Sequence, residues 1–175
     1  MTKVFDGVRR GDVALAVALT ALGVLLMVAN VQDHGSGTRI DSHSWWAVPL
    51  FALATVPVLW RRRDVLAVTG VSLAAMGVHV LAFGWMVRCG AGLPLAFALA
   101  YAVGRLGSGW RSGVGLVLAL ALQAVVLVHD SAAGFGVFPV TALLGVAVWG
   151  TGVALHRPAG RGTPVPQGAS EPVGA

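Results

Sequence analysis

The side chains able to do chemistry are few, and they fall into groups. Asp33, His34, Asp41 and His43 share one polar stretch, and His129 and Asp130 stand together at the end of a long apolar run. Imidazole and carboxylate together form a donor set for zinc or a similar divalent ion. Their spacing matches no metal motif, and two loops would have to meet to build a site. They therefore read first as solvated loop residues, and no metal is assigned. His79 differs, because it stands in an apolar run 14 residues beyond Val65, about 21 Å along a helix at 1.5 Å per residue. A neutral imidazole there would bond Tyr101, Gln123 or a threonine and tie helices together. The other role open to it is a pH- or metal-responsive group. The sensing candidates are thus His34, His43, His79, His129 and Asp130.

Other chemistry finds little support. No paired catalytic carboxylates and no Ser/His/Asp arrangement can be assembled, so neither a catalytic residue nor a cofactor is expected. The run Gly-Ser-Gly-Trp-Arg-Ser-Gly at 107–113 lacks the Lys-Ser/Thr ending of a phosphate loop and follows no strand. A single cysteine, Cys89, excludes an intramolecular disulfide and a cysteine-based zinc cluster.

The elements that must position these residues follow from composition. Of 175 residues, 57% are hydrophobic and 11% charged, against about 25% charged in a typical soluble domain. Mean hydropathy is +0.81. A soluble enzyme and global disorder are both excluded. The charges divide the chain into apolar stretches at 13–32, 42–60, 65–87, 89–104, 112–129 and 131–156. A bilayer core of about 30 Å takes about 20 helical residues, and backbone groups in lipid must be satisfied internally. Ala14 to Val31 and Val114 to Val128 show no two-residue alternation, so helices are expected rather than a barrel. The predicted spans are Val13–Val31, Trp45–Trp60, Val65–Val87, Ala91–Leu106, Val114–Val128 and Val137–Leu155. The fourth holds Gly92, Pro94 and Gly104 and is the weakest, with a re-entrant segment as its rival reading.

Basic residues set the expected orientation. With six spans and the N-terminus inside, ten of the twelve Lys and Arg residues are cytoplasmic, leaving Arg39 and Arg88 outside. Removing the fourth span would divide them evenly. The fold class is therefore all-α, a polytopic helical membrane bundle of six transmembrane helices with both termini cytoplasmic. The same distribution disposes of a nucleic-acid partner despite the pI near 11.1, since the charge sits where insertion and anionic lipid favour it. Trp45, Trp46, Trp60 and Trp85 lie near span ends, as interfacial tryptophans do. Trp149 lies deeper and is expected to pack on a neighbouring helix. The first apolar run exceeds a signal-peptide core and reads as an uncleaved anchor. Residues 157–175 are Pro- and Gly-rich and are expected to form a disordered cytoplasmic tail. Gly70/Ala74 and Thr141/Gly145 are candidate close helix contacts.

The run Val56-Pro57-Val58-Leu59-Trp60-Arg61-Arg62-Arg63, followed at once by Val65-Leu66-Ala67-Val68, resembles the N-terminal membrane region of actinobacterial sensor histidine kinases. Ala100-Tyr101-Ala102-Val103-Gly104-Arg105 resembles a later span of that family, closed by a Tyr-containing, Arg-terminated helix. Asp64 stands where Pro is common. The kinase core that follows the last span in that family is lacking here, and His129-Asp130 resembles a phospho-acceptor dipeptide only superficially, being outside and followed by Ser-Ala-Ala-Gly. The resemblance implies a membrane sensing module without kinase activity. The expected function is a non-enzymatic, sensor-like or regulatory membrane module. The alternatives are a small transporter or channel subunit, or a truncated kinase with no independent activity. The expected partners are the lipid bilayer and either a second copy or a separate signalling protein.

Overall fold

The structure, a computed structural model, describes residues 7–155 apart from His34 and Ser36. The expected tail and the candidate His34 lie outside the described residues. All regular elements described are helical: α1 (Arg10–Gln32), α2 (Ala47–Thr55) continued by a 3₁₀ segment (Val56–Trp60), α3 (Val65–Phe83), α4 (Cys89–Leu106), α5 (Trp110–Val128) and α6 (Phe138–Ala154), the last preceded by a 3₁₀ turn (Phe135–Val137). Five of the helical stretches are long and apolar enough to cross a membrane.

The weak member is the second stretch, not the fourth. Ala47–Trp60 is the short one. Nine α-helical and five 3₁₀ residues reach about 24 Å at about 1.5 and 2.0 Å per residue, below the 30 Å core. Pro57 lies in the first turn of the 3₁₀ segment and has no N–H to continue the α-helical ladder. A turn follows at once. Asp64 caps α3, its Oδ1 accepting the N–H groups of Leu66 (3.1 Å) and Ala67 (3.2 Å). A carboxylate there satisfies donors that helix starts leave open.

The fourth stretch is instead the central helix. α4 packs on α1, α3, α5 and α6 and buries Ala91, Gly92, Leu95, Ala96, Leu99, Ala100, Ala102, Val103 and Gly104. Its low hydropathy follows from that position: a helix surrounded by protein needs small residues for close approach more than it needs apolar bulk. Helices α4 and α6 touch through glycine. A Cβ at Gly104 would strike the Trp149 carbonyl, and one at Gly152 would lie 2.5 Å from the Tyr101 carbonyl. The Thr141/Gly145 pair is buried as expected. Gly70/Ala74 is not a contact, since Gly70 has open space where a Cβ would stand and Ala74 is exposed.

The apolar surface is turned outward. In α6 the buried residues are Thr141, Gly145 and Gly152, while Val140, Leu143 and Leu144 are exposed, Leu143 at 72%. Leu81 of α3 is 85% exposed. A helix that buries its small and polar stripe and exposes its leucines inverts the pattern of a water-soluble bundle.

Candidate functional site

The helices alternate in direction, so the bundle has two polar ends. At one, Asp12 receives Arg61 Nη2 at 2.8 Å and Arg62 Nε at 2.7 Å. Its Oδ2 also accepts the Arg9 backbone N–H at 3.1 Å. The carboxylate is fully buried and ties the start of α1 to the turn between α2 and α3. Arg111 reaches Asp64 at 3.2 Å, and Trp149 Nε1 donates to Ser112 Oγ at 3.0 Å. That bond fulfils the expected interhelical packing of Trp149.

The described sequence-predicted candidates lie at the other end, in a polar cap built around a residue that sequence reasoning counted only as an outer charge. Arg88 is 0% exposed. Gly84, with φ +61°, ends α3 in a conformation that favours glycine. The chain from Trp85 to Val87 then runs extended over the bundle end. Met86 pairs with the α5 exit: its N–H donates to the His129 carbonyl, and its own carbonyl accepts the Ser131 N–H, both at 3.2 Å. This delivers Arg88 inward. Its Nε donates to His79 Nδ1 at 3.1 Å, Nη1 to the His129 carbonyl at 3.0 Å, and Nη2 to the Gly84 carbonyl at 2.7 Å. Burial pulls the guanidinium down to about 10, against the attraction of the Asp130 and Asp41 carboxylates.

Asp130 is the second keystone, 1% exposed. Its Oδ2 accepts the backbone N–H groups of Arg88 and Cys89, both at 2.6 Å. Its Oδ1 accepts those of Ala132 at 3.0 Å and Ala133 at 2.7 Å. One carboxylate thereby caps the N-terminus of α4, where open donors and the helix dipole favour negative charge, and also closes the turn after α5. Asn30 at the end of α1 joins the cap, its Nδ2 donating to the Val87 carbonyl at 2.7 Å and its Oδ1 accepting the Val87 N–H at 3.3 Å.

His79 does tie elements together, but its partner is Arg88, not Tyr101, Gln123 or a threonine. Since Nδ1 accepts the guanidinium N–H, the imidazole carries its proton on Nε2. Gln123 instead lies against Gly145 of α6. His129 contributes its carbonyl, and its ring lies 5.2 Å from that of Trp85. The loops do meet: Asp41 Oδ2 accepts the Trp85 N–H at 3.0 Å, Asp41 Oδ1 accepts Arg39 Nε at 3.0 Å, and Ser131 Oγ donates to the Arg39 carbonyl. The Trp85 and Arg39 donors hold the Asp41 carboxyl below its usual range. His43 stays in the exposed loop, its Nε2 bonding the Asp33 carbonyl at 2.6 Å. Among the described residues, no three His, Cys, Asp or Glu side chains converge on a metal position.

Arg88 was open to discovery from its spacing. One charge between apolar stretches ending at 87 and resuming at 89 leaves no room for a solvated loop, so its side chain has to be neutralised within the protein. No protein-family model, curated protein or solved structure matches the chain.

Proposed function

We propose that the protein is a six-pass membrane protein with its arginine-rich end and both termini in the cytoplasm, and that it is a non-catalytic, sensor-like regulatory module. The exposed leucines and valines support the membrane placement, and the asymmetry of basic charge supports the orientation. One observation carries the regulatory reading. Helix α4 is the buried centre of the bundle, and both of its ends lie in polar clusters. Its first N–H groups are held by Asp130 beside Arg88, and its last turn presents Arg105 among the cytoplasmic arginines. A perturbation of the outer loops reaches α4 through Trp85, Met86 and Arg88, and this helix of 18 residues spans about 27 Å to the other face. The resemblance to kinase input regions agrees with such a role, which makes a separate signalling protein the fitting partner.

Single-cysteine labelling tests this reading. In a Cys89→Ala background, an impermeant maleimide applied to intact cells should label Ser44→Cys and spare Ser108→Cys. Adding Asp41→Asn, which weakens the outer cap, should change the Ser108→Cys labelling rate in opened membranes. Labelling of Ser108→Cys in intact cells would overturn the orientation. An unchanged rate in opened membranes would overturn the coupling.

A further inference from the structure

The stretch that carries α2 is shorter than its neighbours, and both of its ends are pinned. The ion pairs of Arg61 and Arg62 with Asp12 set its cytoplasmic end level with the start of α1. From that level the apolar run Val13–Val31 of α1 holds 19 residues and rises about 28 Å at 1.5 Å per residue. Helices α3 and α5 hold 19 residues each and match it. Ala47–Trp60 reaches only about 24 Å and then meets polar chain. Ser44 Oγ accepts the Trp46 N–H at 3.3 Å and the Ser44 carbonyl accepts the Ala47 N–H at 3.1 Å. Trp45 and Trp46 project outward from this turn, both exposed, and tryptophan settles at the level of the headgroups. Helix α2 packs on α1 and α3 and leaves Leu53 and Val56 exposed, so lipid meets the short stretch directly. A core of about 30 Å overshoots this face by about 6 Å, whereas it fits the faces of α1, α3 and α5. A short stretch is accommodated by thinning of the bilayer, by snorkelling of its flanking residues or by association. Snorkelling is restrained here, because Arg61 and Arg62 are held by Asp12, and an outward pair of tryptophans suits headgroups. We propose that the α2 face thins the bilayer beside it and selects lipids with short acyl chains, with Trp45 and Trp46 as its outer pin. The site rests on the membrane placement proposed above, and it adds a local lipid preference which that placement alone does not demand.

The test uses the full chain in a Cys89→Ala background. It is reconstituted into vesicles of dimyristoleoyl- and dierucoyl-phosphatidylcholine in equal amounts, which share a headgroup and differ in chain length. A fluorophore is attached at Leu53→Cys on α2 or at Leu143→Cys on α6, both exposed and five or six residues from the outer ends of their helices. Each lipid in turn carries bromine on its chains, and quenching of the fluorophore is measured. The ratio of quenching by the short lipid to quenching by the long one should be about twofold or more higher at Leu53→Cys than at Leu143→Cys. Replacing the pin, Trp45→Leu/Trp46→Leu, lengthens the apolar band outward and should bring the Leu53→Cys ratio down towards that at Leu143→Cys. Equal ratios at the two positions in the otherwise unchanged chain overturn the site. A ratio that stays high in the tryptophan double variant overturns the role of the pair. Quenching at Leu143→Cys with none at Leu53→Cys overturns the lipid assignment in favour of a second copy covering α2. Absence of quenching at both positions would instead overturn the membrane placement, so the two failures are distinguishable.

Discussion

Asp130→Asn is the most informative single change in the cap. The substitution preserves shape and replaces one carboxylate oxygen by an NH₂ group. In the native protein each oxygen accepts two backbone N–H groups. Whichever way the amide turns, two of the four donors face another donor. A hydrogen bond to a charged group contributes about 1.5–3 kcal/mol, so losing two costs about 3–6 kcal/mol. The corresponding bonds between membrane helices average only about 0.6 kcal/mol, which sets a lower bound near 1.2 kcal/mol for two neutral contacts. The change also removes the carboxylate beside the buried Arg88, which adds to the cost. The assay is reversible unfolding in mixed micelles with increasing SDS, with Asp41→Asn as a comparison because Asp41 lies at the surface of the same cap. Asp130→Asn should shift the midpoint much further than Asp41→Asn. A loss below about 1 kcal/mol would refute the reasoning, since it would mean that the four donors find water or other acceptors without Asp130.

The glycines separate by what surrounds them: Gly104→Val and Gly152→Val press on the backbone of the facing helix and should cost more than the usual overpacking range of about 1–3 kcal/mol. Gly70→Ala meets open space and should be neutral or stabilising by up to about 1 kcal/mol, read as unfolding midpoints in the same assay. His79→Gln should keep most of the wild-type stability, because an amide oxygen can still accept from Arg88 Nε, whereas His79→Leu leaves that donor unmet and should cost about 1–3 kcal/mol; equal midpoints for the two would remove the role assigned to the imidazole. The Asp41 carboxyl is held below its usual range by the Trp85 N–H and Arg39, so its contribution is present above the unfolded value near 3.8 and is lost as pH falls through the lower folded value. Wild type should therefore lose thermal stability below about pH 4 more steeply than Asp41→Asn, as followed by Trp fluorescence.

The helical architecture was legible because hydrophobicity without two-residue alternation leaves the chain few other ways to satisfy its backbone. The charge breaks located every helix to within a few residues. They were least accurate where local chemistry moves a boundary. Pro57 shortens the second helix, Gly84 ends the third before Trp85, and the first starts earlier, at Arg10, where Asp12 pairs with Arg61 and Arg62. Gly92, Pro94 and Gly104 made the fourth stretch look weakest, and this misjudged it because small residues suit a helix that is surrounded by other helices. The cap was half legible. The loops carrying Asp41 and Asp130 were expected to approach one another if they formed a site, and they do. Both carboxylates accept backbone N–H groups, a role that depends on where the chain turns and leaves no trace in residue spacing. Arg88 was counted only as an outer charge, and its burial was not drawn from its position between two apolar stretches.

The two fully buried charges, Asp12 and Arg88, tie elements together at opposite ends of the bundle. Asp12 binds α1 to the turn before α3, and Arg88 with Asp130 binds the link before α4 to the one after α5. Between them, α4 meets α6 through glycines and packs its alanines and leucines on α1 and α5. Directional side-chain bonds to α4 come nearer its last turns, from Ser112 Oγ to the Val103 carbonyl and from Arg105 Nη1 to the Leu155 carbonyl, whereas breaking either buried ionic cluster exposes an uncompensated charge and costs several kcal/mol.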